Sequence, residues 1–107
     1  MHISADKVAE VIILARDARR GAAELDQFIN TLTEDEQAGL VAVFWIGRGS
    51  FDAAEYDEAY ATAVNEASTP TTTYLGGSPH LADHLEAGMD ALGLDVNAEE
   101  DDLYRSV

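Results

Sequence analysis

Residues 33–49 read Thr-Glu-Asp-Glu-Gln-Ala-Gly-Leu-Val-Ala-Val-Phe-Trp-Ile-Gly-Arg-Gly. Thr33 with Glu36 three residues on forms a capping box, which marks a helix start. Glu34, Asp35 and Glu36 then fill the first turn, where the positive end of the helix dipole favours carboxylates by about 0.3–1 kcal/mol each. From Leu40 to Ile46 no charge interrupts the run. A helix apolar on nearly every side must be covered on every side, by other helices or by a second subunit. Gly47 and Gly49 are expected to supply the positive-φ positions that end it. Arg48 between them is the one lysine or arginine from Gly21 to Tyr104.

Working outward, the 107 residues make one domain, long enough to bury roughly two-thirds of the unfolded chain's surface in a single core. Cysteine is absent, which excludes a disulfide scaffold and thiolate chemistry. The apolar run Val11 to Ala15 is too short to span a bilayer, and no charged leader precedes it, so a cytoplasmic setting is expected. Charge is uneven. Residues 1–48 hold 8 acids against 5 bases, whereas residues 49–107 hold 13 acids against Arg105 alone, within a formal net charge of −15. Such a surface repels phosphates, which argues against nucleic acid and anionic membranes as partners. It suits solubility, or attraction of a basic partner.

Toward the N-terminus, Ser4 is a fair N-cap, and Val8, Val11, Ile12, Ala15 and Ala18 predict a helix from about Ala5 to Arg20 that Gly21 stops. Arg16, Arg19 and Arg20 read as a charge match to the dipole's negative end. Leu25, Phe28, Ile29 and Leu32 predict a short second helix over Ala22–Thr31, which must dock to persist. Beyond the central stretch, Asp52 and Glu55 mark a fourth helix, with Phe51 and Tyr56 as a hydrophobic staple. Its expected stripe is Tyr56, Ala59, Tyr60, Ala63, Val64 and Ala67, ending near Ser68, and its alanines favour close helix approach.

Residues 68–79 are rich in turn formers and threonine, and read as a loop with one helical turn at Thr72 to Leu75. Tyr74 and Leu75 are expected to pin it to the core. Ser78 as N-cap and Pro79 at the first position open a fifth helix whose stripe is Leu81, Leu85, Met89 and Leu92 and whose stop is Gly93. The result is an all-α single domain, residues 1–94, of about five helices around a central hydrophobic helix at about residues 34–46. Residues 95–107 form an acidic tail expected to be flexible, from which Leu103, Tyr104 and Val107 can dock back.

Two constellations carry possible chemistry. His80 and His84 stand four apart with Asp83 between them, a spacing that puts two imidazoles on one helix face as in helical zinc sites. A third ligand would have to be a carboxylate, and the zinc-hydrolase glutamate is missing. Gly47, Arg48, Gly49 and Ser50 join one helix to the next, where backbone N–H groups and a guanidinium can hold an anion. The competing reading has Arg48 bonded to Asp35, Glu36 or Asp52 as architecture, and Phe44 and Trp45 as core. The first-turn carboxylates are explained by capping, and no catalytic triad or cofactor is implied.

The runs Glu34-Asp35-Glu36-Gln37-Ala38, Leu40-Val41-Ala42 and Trp45-Ile46-Gly47-Arg48-Gly49, with Tyr74-Leu75-Gly76 and Pro79-x-Leu81-Ala82-Asp83-x-Leu85-x-x-Gly88, resemble a small proteobacterial family catalogued as domain of unknown function 3775. The resemblance covers about residues 3–93. It implies a cytoplasmic bacterial helical domain without established activity. The family's pattern carries apolar or aromatic residues where this chain has His80 and His84, which weighs against a metal. Arg48 and Tyr74 fall on its motif positions and rank first as site residues.

The function expected from all this is a non-enzymatic binding or protein-interaction module, with a protein partner or a second copy of itself. Its working surface would join the Gly47–Phe51 corner to the Thr71–Gly77 loop. The alternatives are a metal- or anion-dependent enzyme using His80, Asp83 and His84, or Arg48, and an acidic decoy for a basic partner.

Overall fold

The computed structural model describes residues 2–66 and 70–93, with 18–22 described by their backbone alone. Among them six α-helices and one 3-10 turn follow one another without a strand. These are α1 (Ala5–Arg16), α2 (Ala18–Thr31), α3 (Glu34–Arg48), the 3-10 turn Ala53–Glu55, α4 (Tyr56–Asn65), α5 (Thr71–Gly76) and α6 (Leu81–Ala91). The chain is a single all-α domain, as expected, with one helix more than the five read from sequence. The addition is α5, where the expected single turn extends to six residues. No helix here is long and apolar enough to cross a membrane.

α3 starts and stops for the reasons its sequence gives. Glu36 N–H donates to Thr33 Oγ1 at 3.1 Å and Thr33 N–H donates to Glu36 Oε1 at 3.0 Å, closing the capping box. At the far end Gly49 adopts φ 88° and its N–H reaches the Ile46 carbonyl at 3.1 Å. Gly47 is a correction: it remains in the helix, and its small size serves packing rather than a turn. A Cβ on Gly47 would lie 1.6 Å from the His84 carbonyl oxygen, and one on Gly88 would lie 2.2 Å from that of Val43. Paired glycines thus let the backbones of α3 and α6 touch. Sequence reading expected close approach at the alanines of α4, where Ala59 and Ala63 are indeed buried; it did not expect the glycine contact between α3 and α6.

Every residue from Ala38 to Ile46 is buried. α6 and α4 cover most of α3, α5 touches it near Trp45, α1 packs on α6, and α2 packs on α1. The girdle is supplied within one chain, so burial of this helix requires no second subunit. Ion pairs fasten the outer helices, Lys7 of α1 to Glu36 of α3 and Arg16 of α1 to Glu86 of α6. Both cross between elements far apart in sequence.

Several boundaries depart from expectation. α1 ends at Arg16 and α2 begins at Ala18, so Gly21 lies inside α2 and stops nothing. A mid-helix glycine costs about 1 kcal/mol, and burial of Leu25 and Ile29 further along α2 outweighs it. Arg16 does sit in the last turn of α1, but Arg19 and Arg20 occupy the first turn of α2, the dipole's positive end. α6 begins at Leu81 rather than Pro79, with His80 at its N-cap, and Ser78 N–H donates to the Leu75 carbonyl at 3.0 Å, closing α5. Beyond α6, Gly93 takes φ 78°, as its stop role requires. Asp52 N–H donates to Glu55 Oε1 at 2.8 Å as the capping pattern expects, although a 3-10 turn precedes α4. The rings of the expected staple have other partners, Phe51 on Trp45 and Tyr56 on His2. Ala67, Ser68 and the tail 95–107, with its residues expected to dock back, lie outside the described residues.

Candidate functional site

The same run that makes α3 apolar throughout leaves one flank incompletely roofed. Between α3, α4 and α5 runs an open groove of about 830 Å³. Its floor is Ala38, Val41 and Trp45 of α3 with Ala63 of α4. Val64 and Tyr74 form walls, and they are respectively 48% and 38% exposed. Placing Val64 in the buried stripe of α4 was therefore wrong: the stripe centres on Ala59 and Ala63, and Val64 is turned past its edge. Glu34, Asp35, Gln37 and Glu66 contribute to the polar lining, and no lysine or arginine lines the groove among the described residues.

These polar groups are set in place by structure. Glu34 and Asp35 are first-turn acids of α3, where the helix dipole favours negative charge. Asp35 Oδ1 accepts from Tyr60 Oη at 3.1 Å, tying the start of α3 to α4. Burial first, and then that carboxylate, push the Tyr60 hydroxyl above the ordinary phenol range. His2 stacks on Tyr60 with ring centroids 3.4 Å apart, and its N–H donates to Tyr56 Oη at 3.1 Å. The N-terminal segment thereby packs on Tyr56 and Tyr60 of α4 beside Gly39 of α3. Gln37 Nε2 donates to the Leu32 carbonyl at 3.1 Å, fixing the corner between α2 and α3.

At the opposite end stands the Arg48 corner. Trp45 Nε1 donates to Tyr74 Oη at 2.8 Å, tying α3 to α5. Arg48 lies over the Phe44 ring, 5.3 Å from its centroid, and donates to Ser50 Oγ at 3.1 Å and to Tyr74 Oη at 3.4 Å. No carboxylate pairs with it among the described residues, so the expected bond to Asp35, Glu36 or Asp52 is corrected to a cation over an aromatic face. The N–H groups of Gly49 and Ser50 go to the carbonyls of Ile46 and Trp45. They close the helix and are not turned toward an anion, while Gly47 N–H lies within α3. Of the sequence-derived candidates, then, Arg48, Ser50 and Tyr74 converge, and Gly47 and Gly49 act through the backbone.

His80 and His84 meet edge to face with centroids 6.1 Å apart, and His84 presents itself likewise to Phe44 at 5.5 Å. Asp83 is turned to Arg16 at 3.8 Å. No group of three His, Asp or Glu suited to a metal ion is gathered among the described residues. His80 and Asp83 instead edge a smaller hollow of about 310 Å³, where Arg16 is held by Asp83 and Glu86.

Sequence reasoning missed the groove because Trp45 and Val41 looked like interior and Glu34 and Asp35 like caps. Each is that as well. The signal available was that Trp45 and Tyr74 are the bulkiest residues on the two segments meeting here. No curated protein matches the chain, and no solved structure does. A family model matches residues 22–94, which takes in α3 to α6, the groove and the Arg48 corner. By that match, over more than half its length, the chain belongs to the family described as "Protein of unknown function (DUF3775)".

Proposed function

We propose that this protein is a non-enzymatic protein-binding module whose working surface is the groove between α3, α4 and α5 together with the Arg48–Tyr74 corner at its end. The observation that carries the reading is the exposure of Val64 and Tyr74 over an apolar floor. Those two, with Ile13 on the remote α1, are the large hydrophobic side chains left exposed among the described residues, and apolar surface gathered in one concavity marks a contact site. Tyr74 Oη accepts from both Trp45 and Arg48, so its own proton is available to an incoming carbonyl. A cytoplasmic setting, as expected from sequence, accords with this role.

Trp45 is the sole tryptophan and lines the groove, so its fluorescence reports occupancy directly. A displayed library of random peptides, selected on the wild type and counter-selected on Val64→Asp, is the test. The expected outcome is a set of enriched peptides that bind the wild type, shift Trp45 emission and fail on the variant. Enrichment of nothing, or of peptides that bind both proteins alike, would overturn the reading.

A further inference from the structure

The charge around this groove is of one sign. Among the described residues Glu34, Asp35 and Glu66 line it without a single lysine or arginine, and the chain behind it carries a net charge of −15. Resting on the proposed binding role, we infer that the occupant is a basic amphipathic segment of another protein, with apolar side chains set on Val41, Val64 and Trp45 and lysines or arginines facing Glu34 and Asp35. Three features together select this partner. The apolar floor lies along α3, where a helix or turn presenting anchors at i, i+3 or i+4 and i+7 can lay one face. Glu34, Asp35 and Glu66 are exposed while the apolar floor is buried, so cations of the occupant stay partly hydrated while their stems cover apolar surface. At this charge the field of the whole molecule draws in cations and repels a second copy of the same chain.

The acidic tail of this chain is a poor fit for the same reason, since residues 99–102 are Glu-Glu-Asp-Asp. It is the combination of apolar anchor and exposed carboxylates that discriminates; charge alone binds any polycation, and the apolar floor alone any hydrophobe.

Three synthetic peptides of one amphipathic pattern, identical on their leucine and phenylalanine face and carrying lysine, glutamine or glutamate on the other, are titrated while Trp45 emission is followed. The lysine peptide is expected to bind at least tenfold more tightly than the glutamine peptide, and the glutamate peptide not to bind. The double variant Glu34→Gln, Asp35→Asn should weaken the lysine peptide about tenfold and leave the glutamine peptide unchanged. Val64→Asp, which adds negative charge while spoiling the wall, should also weaken the lysine peptide. That last result separates a groove from general attraction, which the added carboxylate would strengthen. If the glutamine or glutamate peptide binds as well as the lysine peptide, the groove binds but the basic partner is wrong. If no peptide moves Trp45, this inference and the binding role both fall. If the lysine peptide binds Val64→Asp at least as tightly as the wild type, the charge acts without the groove and the inference is overturned.

Discussion

A methyl group at position 47 has nowhere to go. The atom it would meet is the His84 carbonyl oxygen, part of the α6 backbone, and no flexible side chain can yield in its place. In isolation alanine would favour this helical position by about 1 kcal/mol over glycine, so the substitution sets propensity against contact. Forcing extra volume into a packed interface costs typically about 1–3 kcal/mol or more. Gly47→Ala is therefore expected to lower unfolding free energy in denaturant titrations, and Gly88→Ala, facing Val43 across the same crossing, to do the same. Gly76→Ala, whose added methyl meets nothing within 4 Å, should be neutral or stabilising. Were Gly47→Ala as stable as Gly76→Ala, the helices would have to stand further apart than described. Residue identity alone does not distinguish these glycines. Gly47 beside Gly49 reads as a helix stop, and only the neighbour across the crossing reveals its packing role. Arg48 is similar, since its isolation in the sequence flags it, yet its partner is a ring four residues back and not an acid.

What was legible at the level of elements follows how local the signal is. The α3 capping box, the Gly49 stop and the spacing Leu81, Leu85, Met89 are written within a few residues of where they act, and each appears as read. The junction of α1 and α2 depends on burial of Leu25 and Ile29 well downstream, so a glycine rule applied at Gly21 misplaced it. The groove is less local still, because α5 brings Tyr74 to Trp45 from 29 positions away. The α3 start also carries a pH signature. Lys7 bonded to Glu36, and then the Thr33 N–H, hold the Glu36 carboxyl below its ordinary value of 4.5. A carboxyl more acidic in the folded state stabilises the fold above the unfolded value and loses that contribution as pH falls through the folded one. Thr33→Ala is expected to cost about 1 kcal/mol by removing the cap. Glu36→Gln should be destabilising at pH 7, with the gap to wild type closing as pH drops below 4.5. A gap independent of pH would mean that the charge on Glu36 contributes nothing.

For the molecule as a whole, enclosure of α3 and excess of negative charge pull in opposite directions. The helix that a second subunit was a candidate to cover is wrapped by the chain's own α4, α5 and α6, with Ala38 to Ile46 buried. Its association with another copy would have to join two bodies of net charge −15, and the ion pairs described here are few beside that excess. Self-repulsion of this kind destabilises the compact state and is relieved by screening, since the Debye length falls from about 30 Å at 0.01 M to about 10 Å at 0.1 M salt. Two measurements follow from the one balance. The midpoint of thermal unfolding should stay constant over about a hundredfold range of protein concentration, because a fold completed within one chain has no mass-action term. The same midpoint should rise on moving from low salt to sodium chloride near 0.15 M, by about 4–8 °C if screening relieves about 1 kcal/mol in a domain of this size. A midpoint that climbs with protein concentration would show that a second copy completes the fold. One that ignores salt would show the acids to be too dispersed to repel one another, and with them would go the long-range attraction on which a basic partner's approach to the groove depends.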